Sequence, residues 1–259
     1  MRFAYDIIGN KERAVALLGV DLKEDELELA KEIMKRHKNV KSVLRKMAQR
    51  QEIYRLYPVK HVLGEENTEV IHKEHNYLLK LDPKKVYFSP REATERQRIS
   101  EMVKEGERIL VMFSGIAPYA LAIAKKKPLC NIVCIDLNWH AIKYAEENVK
   151  LNGLNKLNRI KNMCADVREV KDLGNFDRIV MPLPEKAVEY IDVAFALSKK
   201  GTMIHLYGLS KEGTLFKDLE RKIKENTRYL NVRYKIVKKT VVLPYAPRLN
   251  KVRLDIKIL

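Results

Sequence analysis

The sequence predicts an α/β fold: a mainly parallel, doubly wound sheet preceded by a small α+β unit. Two observations carry this. From about residue 86, short apolar runs of strand length alternate with helix-length amphipathic stretches, as buried parallel strands and their crossover helices require. Before that point the pattern is one helical stretch followed by short alternating runs punctuated by turn residues.

The first helix is expected over 24–37 (EDELELAKEIMKRH), acidic first and basic last as the helix dipole favours, with Leu27, Leu29, Ile33 and Met34 at near-helical spacing. The runs at 40–44, 52–59, 68–74 and 76–82 read as strands, with Gly64 and its polar neighbours as a turn. Ser89-Pro90-Arg91-Glu92 has the form of a capping box with proline at the first helical position, so a helix is expected over roughly 90–104. Strands then fall at 108–113, 131–136, 159–164, 177–181 and 202–207, with helices at 118–126, 138–152, 185–198 and 211–226. RYKIVKKTVVL and VRLDIKIL close the chain as a hairpin-like pair beside the sheet. Two units are expected, residues 1–85 and 86–259.

Lys+Arg number 51 against 34 Asp+Glu, a net charge of +17. Such an excess favours a polyanionic partner, because each neutralised phosphate releases a counterion; a lysine-rich solvated surface accounts for it equally well. Cys130, Cys134 and Cys164 show no CxxC spacing and the 6 histidines are scattered, so small core residues in a reducing compartment are expected and a metal site is not. No apolar run approaches ~18 residues and the N-terminus has no signal-peptide core, so a cytoplasmic protein without a membrane span is expected.

Three features fall where such a sheet binds an adenosine cofactor, at the carboxyl ends of adjacent strands. In the loop FSGIAP, Gly115 and small Ser114 let backbone N–H groups approach a ligand. Asp136 ends the next strand, where a carboxylate can accept both ribose hydroxyls, and Asp166 follows the third, placed for an adenine amino group. Each acid taken singly is better read as a helix or turn cap; together, in register with three strands, they favour a cofactor. The loop lacks the Lys-Ser/Thr of a P-loop, and one tight turn with two acids suits a sulfonium nucleoside better than a dinucleotide. Phe113, Ile116, Leu137, Val167 and Pro182 complete the expected cofactor set. Arg91 and Glu95, four residues apart, would by default be an ion pair on a solvated helix face.

The stretches YRLYPV (54–59), ENTEVIHKE (66–74), VYFSPREATER (86–96), MFSGIAPY (112–119), DLN (136–138), ENVKLN (147–152), RIVMPLP (178–184) and YAPR (245–248) make the chain resemble the archaeal tRNA (guanine-37-N1)-methyltransferases from near its start to its end. The resemblance implies a Rossmann-like class I methyltransferase domain, S-adenosylmethionine as cofactor and the tRNA anticodon loop as partner, in a monomer. It carries the general base onto Glu95, the arginine that contacts guanine O6 onto Arg55, and supporting roles onto Tyr87, Arg96 and Pro184. The chemistry agrees: guanine N1 carries a proton and is a poor nucleophile until a carboxylate removes it, and a guanidinium can stabilise charge developing on O6. Tyr87 can pack on an unstacked base.

The chain departs from that family at Val111, usually an acid, at Ala117, usually glycine, and at Pro182-Leu183-Pro184, usually Asn-Leu-Pro. The last looks like the subgroup that also methylates C7 of the tricyclic wyosine precursor, 4-demethylwyosine. The family's additional N-terminal domain is not expected here, which leaves tRNA selection to the basic surface and anticodon-loop contacts. Three alternatives compete: a wyosine-pathway aminocarboxypropyl transferase, a non-catalytic RNA-binding module on the same frame, and a small-molecule methyltransferase that the +17 charge disfavours.

Overall fold

The structure is a computed structural model that describes residues 5–20, 22, 25–48 and 56–259. Among them, β1 (Tyr5–Gly9), β2 (Ala14–Leu18), β3 (Val40–Lys46) and β4 (Val59–Gly64) form a sheet in that order, β2 and β3 parallel and the other pairs antiparallel. The helix α1 (Glu26–Arg36) crosses from β2 to β3 and buries Leu29, Ala30 and Ile33 against them. Asp25 caps it by accepting N–H bonds from Leu27 and Glu28 at 2.8 and 3.0 Å. The strand expected over 52–59 falls in part on 52–55, outside the described residues; β4 begins only at Val59. No strand was expected for β1 and β2.

The hairpin β5 (Val70–Glu74) and β6 (Tyr77–Leu81) joins this unit to the second. A short 3₁₀ turn, Pro90–Glu92, then leads into α2 (Ala93–Met102); Ser89 makes no side-chain cap bond, so the expected capping box does not form. The remaining elements alternate as expected: β7 (Arg108–Met112), α3 (Pro118–Lys126), β8 (Asn131–Asp136), α4 (Trp139–Leu151), β9 (Ile160–Cys164), β10 (Phe176–Met181), α5 (Ile191–Ala196), β11 (Ser198–Lys211), α6 (Lys217–Thr227), β12 (Tyr234–Ala246) and β13 (Leu249–Ile258). Their sheet runs β12-β13-β11-β10-β7-β8-β9. The strands from β9 to β11 are parallel, and β13 is inserted antiparallel between β11 and β12. Strand order reverses between β7 and β10, the place where a doubly wound sheet opens a crevice.

Hydrophobic layers cover both faces of this sheet, one around Ile179, Leu206 and Ile223, the other around Ile99, Val111 and Ile123. Two asparagines of α4 complete the edge of the hairpin. Asn148 accepts from Lys80 N–H at 2.6 Å and donates to Lys80 C=O at 3.1 Å; Asn152 treats Leu78 likewise at 2.9 and 2.7 Å. Four helical residues rise about 6 Å and two strand residues about 6.7 Å, so side chains at i and i+4 match alternate residues of an extended strand. The amides thus stand in for a missing neighbouring strand, one way of protecting a sheet edge.

Candidate active site

At the carboxyl ends of β7, β8 and β10 lies a cavity of about 850 Å³. Phe113, Gly115, Ile135, Asp136, Leu137, Ala165, Asp166 and Val167 line it together with Tyr87, Glu92, Pro182, Leu183, Pro184, Glu185, Tyr190 and Tyr245. The wall thus combines a tight loop and acids with aromatic rings and prolines, and the Phe113 and Tyr190 rings meet edge to face at 5.0 Å.

The loop after β7 turns sharply, with positive φ at Phe113 (56°), Gly115 (55°) and Ala117 (64°). Only glycine adopts this region without cost. A Cβ on Gly115 would meet no closer neighbour than the Tyr87 carbonyl at 3.9 Å, so that residue leaves open space beside the cavity. Gly115 N–H donates to Asp136 Oδ2 at 2.7 Å, and Asn138 N–H donates to Oδ1 at 2.9 Å. Asn138, not Asp136, caps α4, accepting from His140 N–H at 3.0 Å. Asp136 therefore ties the loop after β7 to the turn after β8 while its carboxylate faces the cavity. Asp166 accepts from Arg168 N–H at 2.9 Å, a turn bond that fixes its direction.

Three ionisable side chains at the start of α2 go three ways. Glu92 lines the cavity, and its Oε2 lies 2.7 Å from Lys251 Nζ. Glu95 is buried: Oε1 accepts from Tyr207 Oη at 2.7 Å and from Arg253, and Oε2 meets Arg98 at 3.4 Å. Arg96 is buried on the opposite side, gripping Glu74 at 2.8 and 2.5 Å and donating to the Ser89 carbonyl at 3.0 Å.

Behind Glu95 runs a buried layer of charge. On β13, Lys251, Arg253 and Asp255 share one face, since alternate residues of a strand point the same way. Arg253 grips Asp255 at 2.7 and 3.1 Å; Asp255 meets His205 Nδ1 at 2.7 Å; His205 Nε2 meets Arg178 at 2.6 Å; and Arg178 meets Glu107 at 2.6 Å. Arginine can only donate, so Nε2 accepts and the Nδ1 proton points at Asp255. Burial holds the His205 imidazole below its usual pKa despite Asp255. Burial works against the Asp255 charge, yet His205 and Arg253 keep its carboxyl below the usual range. Burial likewise lowers the Lys251 ammonium, opposed by Glu92.

The structure brings Tyr87, Phe113, Gly115, Asp136, Leu137, Asp166, Val167, Pro182 and Pro184 to one cavity. The others lie elsewhere. Ile116 packs in the core and Ser114 lies buried, its Oγ without a hydrogen-bond partner among the described residues. Glu95 and Arg96 are neither on a solvated helix face nor on the cavity wall, because Arg253 and Glu74 hold them inside. Arg91 pairs with Asp6 at 2.6 Å, not with Glu95. Arg55 lies outside the described residues. Sequence reasoning missed Glu92, Tyr190 and Tyr245. In the sequence Glu92 reads as a cap residue, and nothing local marks Lys251 as its partner.

The sequence profile of the TRM5/TYW2 methyltransferase domain matches residues 70–237. The tRNA (guanine(37)-N(1))-methyltransferase Trm5b of Pyrococcus abyssi is 38% identical over 98% of this chain and 74% of its own length. Its crystal structure superposes with a TM-score of 0.83. The bifunctional tRNA (guanine(37)-N(1))/4-demethylwyosine(37)-methyltransferase Taw22 of Nanoarchaeum equitans is 32% identical over 86% of this chain and 88% of its own. The structure of Methanocaldococcus jannaschii TYW2 in complex with AdoMet is similar at 26% identity, with a TM-score of 0.73, covering 98% of this chain and 99% of that one.

Proposed function

The chain belongs to the TRM5/TYW2 methyltransferase family, and from that premise we propose that it transfers a methyl group from S-adenosylmethionine to N1 of guanine 37 in tRNA. The observation that carries this is one cavity at the end of β7, with Asp136 and Asp166 at the carboxyl ends of the strands on one flank, Pro182-Leu183-Pro184 after β10 on the other, and Tyr87 on the same wall. The residues fit the cofactor: the Asp136 carboxylate suits ribose hydroxyls, Asp166 an adenine amino group, and Gly115 leaves the space a side chain would fill. When bound, the cofactor supplies an electrophilic methyl on sulfonium.

The chain's own residues prepare the nucleophile. In this reading Tyr87 packs on the unstacked purine, Glu95 accepts the N1 proton and Arg55 steadies the charge on O6. Tyr207 and Arg253 occupy Glu95 Oε1, which leaves Oε2, on the Arg98 side, for the proton. Arg96 supports the reaction by fixing the Ser89 carbonyl beside Tyr87. Residues 1–85 serve the RNA and 86–259 the cofactor, in a cytoplasmic monomer acting on the anticodon loop; no helix among the described residues is long and apolar enough to cross a membrane.

Mass spectrometry of nucleosides from unmodified tRNA incubated with protein and labelled S-adenosylmethionine tests the activity. N1-methylguanosine at position 37 is expected; tRNA without labelled base would sink the proposal. Glu95→Gln should lower turnover by roughly 10²–10⁴-fold with cofactor affinity intact. If it lowers affinity and thermal stability in step with turnover, Glu95 is structural. The proposal extends to C7 of 4-demethylwyosine, because Pro182 lines the cavity without an amide to read a guanine edge. Label entering tRNA that carries 4-demethylwyosine checks this second activity.

A further inference from the structure

Glu92 is a buried charge that the reaction above leaves without a task. It is 8% exposed, and it is held from behind by Lys251, itself 1% exposed. That ion pair uses Oε2 and leaves Oε1. Burying such a pair costs desolvation that mutual attraction only partly offsets, so stability does not explain a pair with one member on a cavity wall. The carboxyl end of β7 offers no alternative acid near the loop, because Val111 and Met112 are buried and apolar. Of the other carboxylates on the wall, Asp136 at the end of β8 and Asp166 after β9 are taken by adenosine in the reading above, and Glu185 lies after β10, beyond Pro182-Leu183-Pro184, where it receives Tyr245 Oη at 2.5 Å. The segment that carries Glu92 runs beside Gly115, as the Tyr87 carbonyl shows.

We propose that Glu92 binds the α-ammonium group of the cofactor's amino-acid tail, with Lys251 holding its carboxylate in place. This rests on the cavity being the S-adenosylmethionine site. Adenosine then lies against Asp136 and Asp166, and the tail passes Gly115 to reach the start of α2. Glu92 contacts the part of the cofactor that is not transferred, so it sets affinity and the position of the sulfonium without touching the guanine.

Isothermal titration of wild type and Glu92→Gln with three ligands tests this. S-adenosylhomocysteine carries the whole tail, decarboxylated S-adenosylmethionine keeps the ammonium without the carboxylate, and 5′-methylthioadenosine has neither. Glu92→Gln should weaken the first two by about 10- to 100-fold, the worth of a charge-assisted hydrogen bond, and leave the third unchanged. Retained binding of 5′-methylthioadenosine also reports that the variant is folded. The double variant Glu92→Gln/Lys251→Met, which removes the orphaned cation, should show the same selectivity. Equal weakening of all three ligands would overturn the proposal, as would unchanged affinities with slowed turnover, which would make Glu92 part of the chemistry instead. A wild type that binds none of the three would overturn the cavity assignment itself, a distinguishable result.

Discussion

Two regions meet at the start of α2 and are held together differently. The cavity is shaped by backbone: Asp136 collects N–H groups from two loops, and Gly115 keeps the wall open. The layer behind α2 is shaped by side-chain charge, with Glu95, Arg253, Asp255, His205 and Arg178 buried and linked in series, ending at the half-buried Glu107. Glu92 and Glu95 are the same residue type one turn apart, yet one faces a space that can take a ligand and the other faces an arginine. What lies opposite decides the role, and for both glutamates that is β13.

Removing Arg253 should break the contrast most sharply. Arg253→Met removes the buried cation that Glu95 and Asp255 share, which should cost about 3–5 kcal/mol of stability in denaturant titrations. The folded fraction should still bind 5′-methylthioadenosine at wild-type affinity; loss of that binding would show that the charge layer also shapes the cavity. Asn148→Leu tests the opposite side and should cost roughly 2–4 kcal/mol, since it orphans both backbone groups of Lys80. Here cofactor affinity should fall as well, because the same amide donates to Ile116 C=O in the loop after β7 at 3.3 Å.

The smallest effect concerns pH. A histidine whose folded pKa lies below the unfolded 6.5 binds its proton more readily in the unfolded chain, so its contribution to stability is present above that value and is lost as pH falls through it. The midpoint of thermal unfolding should drop between pH 7.5 and 5.5, and less steeply in His205→Gln. His72, also lowered by burial, adds a share in the same direction that the variant retains. Parallel curves for the two proteins would remove His205 from the account.

These differences also mark what was legible in the sequence. The parallel sheet and the acids that end β8 and follow β9 announce themselves locally, because each needs only a few consecutive residues: an apolar run, a tight turn, a carboxylate at its end. The β13 charges do not. Lys251, Arg253 and Asp255 alternate with Val252, Leu254 and Ile256, which in isolation is the pattern of a strand with one solvated face. Arg253's partner on α2, Glu95, lies 158 residues away, and no local period records that separation. Glu92 was hidden for a related reason, since a serine three residues earlier made it look like half of a cap. In β1 and β2, YDIIG and AVALL flank a polar turn and carry a usable strand signal, but five residues each is too short for periodicity alone to decide.

Asn148 has one further consequence. Its single side chain holds Lys80 on the hairpin and Ile116 beside the cofactor loop, so a tug on either strand or loop is felt by the other through one rigid amide. The Lys80 backbone proton, more than 30 residues before the loop in sequence, is therefore a natural gauge of it: ligand entering the cavity should slow that proton's exchange with heavy water.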